Sequence, residues 1–173
     1  TSDKASSARN TEPLVTLRRA TLADAELVHA WRAEPSSSLY QPLMQLTLEQ
    51  VREKTVQRAA CALDAKLSGE IQWIIESSAT REPVGWINLT VLQRDHGLAT
   101  FGYTIAEKHR RRGYASAALR ALLPLAFSSS RGADLFRLEG AAAVDNVASC
   151  KVMEAAGLRH EGVARGLLRI NGK

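Results

Sequence analysis

The sequence predicts a single α/β domain of the α+β kind, built on a mixed, mostly antiparallel sheet flanked by helices. Three observations carry that expectation. Two helix starts of the Thr-x-x-acid or Thr-x-x-amide type, at Thr21 and Thr47, come before the main run of extended segments. Three consecutive segments rich in β-branched and aromatic residues then follow, separated only by short turn-like stretches, as in a meander. Last, a basic glycine-containing turn joins a strand to a helix, and a further strand and helix follow it. A chain of 173 residues with 45% hydrophobic content suits one domain with a full core, since domains run to about 100–200 residues.

Taken in order, residues 1–13 are small and polar without apolar periodicity and read as a flexible tail, leaving 14–173 as the domain. Leu14 to Arg19 reads as the first strand. Thr21 and Asp24 then open a helix to about Ala33, which Glu34-Pro35-Ser36-Ser37-Ser38 ends. Thr47 and Gln50 open a second helix whose apolar positions continue towards Leu67, with Gly69 as its stop. Strands are expected at Ile71 to Ser77, Val84 to Leu92 and Leu98 to Ile105, with turns at Ala79 to Pro83 and Arg94 to Gly97. Gly113 to Ser129 reads as a helix that Pro124 should kink or locally rebond. A strand from Phe136 to Val144, a helix from Asp145-Asn146 to Ala156 capped by Gly157, and an extended stretch from Arg159 to Arg169 complete the reading.

The charge of +5 favours an anionic partner, and a nucleic acid, a phosphorylated cofactor and an acidic peptide all satisfy it. No apolar run of roughly 18 residues and no secretory leader is visible, so the expectation is a cytoplasmic protein without membrane contact. Cys61 and Cys150 fall in helical patterns without metal-like spacing and read as free thiols; no metal is expected.

The segment from Tyr103 to Ser116, with Arg110-Arg111-Arg112-Gly113 at its centre, is the most informative. A helix starting at Gly113 leaves the amides of Arg111 to Ala115 without intrahelical carbonyls, with the positive end of the helix dipole behind them. Three arginines add charge suited to a polyphosphate, Gly113 lets the backbone approach a ligand, and Ala115 keeps the first turn free of bulk. The nucleotide-binding signature Gly-x-x-x-x-Gly-Lys-Ser/Thr is absent, and Gly113-Tyr114-Ala115 lacks the dinucleotide spacing Gly-x-Gly-x-x-Gly.

The order strand, Arg-x-x-Gly-x-Ala turn, helix, strand, then Asn146-x-x-Ser149 on a helix ending in Gly157 resembles the GCN5-related N-acetyltransferases, and within them the RimJ/RimL type that acetylates ribosomal-protein N-termini. The resemblance implies a sheet of about six to seven strands split between the fourth and fifth. It also implies acetyl-CoA as donor, with the pyrophosphate on the turn amides of Arg111, Arg112, Gly113, Tyr114, Ala115 and Ser116, Arg110 beside them, the pantetheine beside Tyr103, Thr104, Ile105 and Asn146, and Ser149 also at the cofactor. An amide near Ile105 would face the thioester oxygen. Transfer would be direct, without an acyl-enzyme.

Many family members carry a tyrosine on the later helix that protonates the departing thiolate; the matching position here is Met153, which has no proton to give. Ser149, one helical turn away, is the expected substitute. The place of a catalytic glutamate found in one branch is taken by Leu168, so Glu161 is the first candidate for the base, beside Asp145, His160 and His96. An α-amine with pKa near 7.8 is roughly one-seventh neutral at pH 7, whereas a lysine near 10.4 is roughly 0.04% neutral, a handicap of about 3.5 kcal/mol. A protein or peptide N-terminus is therefore the expected acceptor, with a small-molecule amine such as an antibiotic or polyamine as the alternative.

Competing readings stand beside these. The arginine run also fits a solvated charge cluster, Asn146 a plain helix cap, and Ser149 a small packing residue. Trp31, Trp73 and Trp86 read as core or pocket wall, and Cys150 lacks a histidine at helical spacing to make it a nucleophile. A silent CoA-binding domain fits Met153 and Leu168, and an RNA-binding module fits the basic charge but lacks an aromatic strand signature. Glu34 to Met44, with Pro35, Tyr40 and Pro42, is the loop expected over the acceptor. Asn171-Gly172 reads as a hairpin leading to one more strand, which residues beyond Lys173 or a second copy would supply. The chain is expected as a monomer or homodimer.

Overall fold

The computed structural model describes residues 13–40, 45–64 and 68–167. Its elements are β1 (Val15–Arg19), α1 (Ala25–Arg32), α2 (Leu48–Ala60), β2 (Gly69–Ser77), β3 (Pro83–Gln93), β4 (Leu98–Ile105), α3 (Tyr114–Phe127), β5 (Arg137–Glu139) and α4 (Val147–Ala155). Four antiparallel strands, β1 to β4, lie in sequence order, and β5 joins β4 in parallel. The described strands therefore number five, against the six to seven expected.

Strand alternation sets the two faces. Register pairs Trp73 with Ile87 and Ile87 with Tyr103, while Ile74 pairs with Trp86 and Trp86 with Thr104. Successive side chains point to opposite faces, so Trp73, Ile75, Ile87 and Leu89 meet α3 in one core, and Ile74 and Trp86 meet Val28, Trp31 and Val51 of α1 and α2 in another. All three tryptophans are buried. Burying each large aliphatic side chain here contributes roughly 1.5–3 kcal/mol.

β1 is tied to α1 by charge as well as packing. Arg18 donates to both carboxylate oxygens of Asp24, at 3.0 and 2.8 Å, and from Nε to Glu76 at 2.7 Å. Burial pushes the Asp24 carboxyl up, but these bonds and those from the Thr21 amide and hydroxyl outweigh it and hold the pKa below its ordinary value.

Three boundaries differ from the sequence expectation. α2 ends at Ala60 and Gly69 opens β2 instead of stopping the helix. The cause is tertiary: Arg19 reaches across to accept no bond but to donate to the carbonyls of Arg58, Ala59 and Cys61, satisfying the helix end from outside. The strand expected over Phe136 to Val144 shortens to Arg137–Glu139, where the Gly140 and alanine stretch has little strand propensity. Residues 159–167 form no strand. By contrast β4 has the expected limits, and α3 continues through Pro124 to Phe127. Residues 1–12 of the tail, residues 65–67 of the expected helical extension, the loop residues Pro42 and Met44, Leu168 and the Asn171-Gly172 hairpin lie outside the described residues, of which no helix is long and apolar enough to cross a membrane.

Candidate active site

β5 pairs with β4 only from Leu98 to Thr100, so among the described residues no strand pairs with the rest of that edge, Phe101 to Ile105. Amides alternate between edges along a strand. Ala106 N donates to Val84 of β3 at 2.9 Å, and Gly102 N faces the same side, donating to Asn88 Oδ1 at 2.7 Å. By that alternation the amides of Tyr103 and Ile105 face the unpaired edge. Gly85, opposite Ile105, makes this strand end possible: a Cβ there would sit 2.1 Å from the Thr104 carbonyl oxygen.

Beyond Ile105 the chain makes the basic turn. Arg111 and Gly113 both adopt left-handed backbone, with φ of 61° and 82°. Gly113 then serves as the N-cap of α3 and brings no side chain to its first amides, the first helical bond running from Ala117 N to Gly113 O. Arg110 Nε donates to Ile105 O at 2.9 Å, binding the turn to the strand end. His109 is buried beneath it, edge-on to Tyr114 and 3.2 Å from Glu82, which also pairs with Lys108.

The unpaired strand edge, the turn and the start of α4 enclose a cleft of about 380 Å³. It gathers the sequence-predicted Tyr103, Thr104, Ile105, Arg110, Arg111, Gly113, Tyr114, Ala115, Ser116, Asn146 and Ser149. Arg112 is exposed and does not line it. Asn146 caps α4, its Oδ1 accepting from Ser149 N at 3.2 Å. Tyr103 Oη and Ser149 Oγ are 2.9 Å apart. Burial pushes the Tyr103 phenol up, the Ser149 contact acting in the opposite direction.

The outer wall comes from the segment after α1, with Ser36, Ser37, Leu39 and Tyr40 lining the cleft. It is fastened to the turn reciprocally. Glu107 accepts from Ser36 N at 3.0 Å and from the Ser36 hydroxyl, while Glu107 N donates to Glu34 Oε2 at 3.0 Å. The Ser36 hydroxyl and amide hold the Glu107 carboxyl below its ordinary range.

The candidate bases lie elsewhere. Glu161 is exposed and held by Arg137 at 2.5 Å in a second hollow of about 510 Å³ between β5 and the far end of α4, which His160 and Met153 also line. The Arg137 contact lowers its pKa, which weakens it as a base. Asp145 is exposed and outside the cleft lining, and His96 sits in the turn at the opposite end of β4. Among the described residues no carboxylate lines the cleft, and no group of three metal-ligating side chains occurs. Sequence reasoning missed His109, the Glu107 latch and the Tyr103–Ser149 contact. None left a local signal, because each joins residues far apart in the chain.

An open strand edge beside an anion-ready turn suits a phosphorylated ligand, and the comparisons with known proteins name the family. Residues 15–159 match the acetyltransferase (GNAT) domain family, to which the chain belongs. It is 30% identical over 156 residues to YoaA, an uncharacterised N-acetyltransferase of Bacillus subtilis, covering 90% of this chain and 85% of that protein. Among solved structures, a GNAT-family acetyltransferase from Bacillus anthracis superposes with a TM-score of 0.75 at 23% identity, covering 92% of this chain and 88% of that one. A mutant spermidine N-acetyltransferase SpeG from Vibrio cholerae gives 0.75 at 19%, covering 94% and 89%. AAC(6')-Ib in complex with paromomycin and acetyl-CoA gives 0.70 at 19%, covering 86% and 84%. The chain is thus an acyltransferase of the GNAT family with an N-acetyltransferase relative.

Proposed function

We propose that the chain moves the acetyl group of acetyl-CoA to the α-amine of a protein or peptide N-terminus, in the manner of the RimJ/RimL type. In this reading the amides from Arg111 to Ser116 hold the pyrophosphate, with Arg110 and Arg111 adding charge, and the open edge at Tyr103 to Ile105 pairs with the pantetheine. The geometry fits such a donor: the left-handed turn presents amides where Gly113 leaves no side chain. The Ile105 amide is aimed at the edge where the thioester oxygen would gain charge as the amine attacks. Asn146 fixes the start of α4, and Ser149 delivers the proton to sulfur.

The observation that carries the acceptor choice is the cleft lining. Its described residues include Arg110 and Arg111 and no carboxylate. A polycation gains nothing from such a wall, and a lysine would need a base to overcome its handicap of about 3.5 kcal/mol at neutral pH. An α-amine is already partly neutral. Spermidine and paromomycin belong to the structural neighbours' names at 19% identity, which supports the shared fold alone.

The test is amine-dependent release of CoA from acetyl-CoA across N-terminal peptides, Nα-blocked lysine peptides, spermidine and an aminoglycoside. Peptides with free α-amines should lead by at least tenfold in kcat/KM. Preference for spermidine or the aminoglycoside would replace the peptide reading with the small-molecule one.

A further inference from the structure

We propose that Tyr103 is a positioning residue for proton delivery to the departing sulfur: its hydroxyl donates to Ser149 Oγ and thereby aims the Ser149 hydrogen into the cleft. The inference rests on the acetyl-transfer reading and adds to it a residue from a different element. Its basis is the 2.9 Å contact between the two hydroxyls, both of which line the cleft.

Each partner is held for this contact. Tyr103 lies on the β4 face that packs into the α3-side core, so its ring is anchored while its oxygen reaches the cleft. Ser149 stands in the first turn of α4, where its amide donates to both the carbonyl and the side-chain oxygen of Asn146, at 3.1 and 3.2 Å. A lone serine hydroxyl still rotates about its C–O bond. It has one hydrogen and two lone pairs, so accepting from Tyr103 occupies one lone pair and leaves the hydrogen for a third group.

In the proposed direction the partly buried phenol, which its surroundings keep protonated, is the donor. Ser149 Oγ is within reach, and Met153, one turn along α4, lines the opposite hollow with a sulfur that has no proton to give. Two weakly acidic hydroxyls thus stand in series at the cleft.

The step balances as follows. The amine lone pair forms the C–N bond and the C–S pair leaves with sulfur. Sulfur takes the Ser149 hydrogen as Ser149 takes the phenolic hydrogen of Tyr103, and the proton shed by nitrogen to solvent returns to the phenol oxygen. One proton has moved from nitrogen to sulfur, and both side chains end unchanged.

The test needs no acceptor. CoA bound to the enzyme is titrated through its thiolate absorbance, as a difference against the acetyl-CoA complex, whose sulfur does not ionise. Donors aimed at the thiolate favour its charged form, so the wild type should ionise bound CoA about one pH unit below Ser149→Ala, a tenfold effect. Tyr103→Phe should lose most of that shift, the double variant should lose no more than Ser149→Ala, and Ser149→Thr should restore it. Calorimetry at a pH where the thiol is protonated should find CoA affinity in Tyr103→Phe within about threefold of wild type, separating positioning from packing. A Tyr103→Phe titration matching wild type would overturn the proposal. So would a shifted Tyr103→Phe beside a silent Ser149→Ala, which reverses the order of the two hydroxyls. Failure of wild type to bind CoA at all would strike the acetyl-CoA reading instead, and shows before any titration.

Discussion

The two hollows on either side of α4 are similar in size and opposite in chemistry. The larger, of about 510 Å³, is bordered by Arg137, Glu139, Glu154, Arg159 and Glu161, and its best-placed arginine is already spent on two carboxylates. The smaller, of about 380 Å³, is bordered by amides of a left-handed turn, two arginines and a pair of hydroxyls, without a carboxylate among its described lining. Volume does not decide which hollow takes an anionic donor. What decides is whether the donors facing it have been satisfied from within the protein. That difference is what supports the proposed placement of the reaction in the smaller hollow.

The most damaging way to break the comparison is to move the floor of the smaller hollow. In Gly85→Ala a methyl carbon meets the Thr104 carbonyl oxygen at 2.1 Å, a backbone atom, so a strand must shift to admit it. We expect a loss of about 3 kcal/mol and a fall in Tm of about 10 °C, read by thermal denaturation, with acetyl transfer lost in the folded fraction. A stable, active Gly85→Ala would mean that β4 does not set the site.

A smaller effect is expected from the outer wall. Glu107→Ala removes the acceptor for both Ser36 bonds while leaving the turn glycine and α3 intact. The KM for the amine should rise about fivefold, with acetyl-CoA affinity nearly unchanged, because the latch holds the Ser36 to Tyr40 wall and not the amides. An equal loss of both affinities would place the latch under the donor instead. The smallest effect belongs to the larger hollow. Glu161→Gln should leave kcat/KM within about twofold at every pH, whereas loss of an acidic limb from the pH profile would restore Glu161 as a base.

What the sequence revealed, and what it hid, follows the range of the forces involved. Leu98 to Ile105 was legible because alternation is a local property, and so was the turn, since Arg110 to Gly113 declares its backbone and charge within a few residues. The end of α2 was not, because Arg19 caps it from about forty residues away. β5 was overestimated because its length depends on how far β4 accepts a partner. At the site, the turn and Ser149 could be named singly. The Tyr103–Ser149 contact spans 46 positions and the Ser36–Glu107 latch 71, and each exists only once the sheet and helices have packed.

The central claim is that the turn at Gly113 is the donor site, and calorimetry with acetyl-CoA tests it most directly. Wild type and an Arg137→Ala control in the larger hollow should bind alike, while Gly113→Glu, which forces a side chain and a negative charge onto a left-handed cap, should bind at least about a hundredfold more weakly. Unchanged affinity in Gly113→Glu, or a matching loss in Arg137→Ala, would contradict the account.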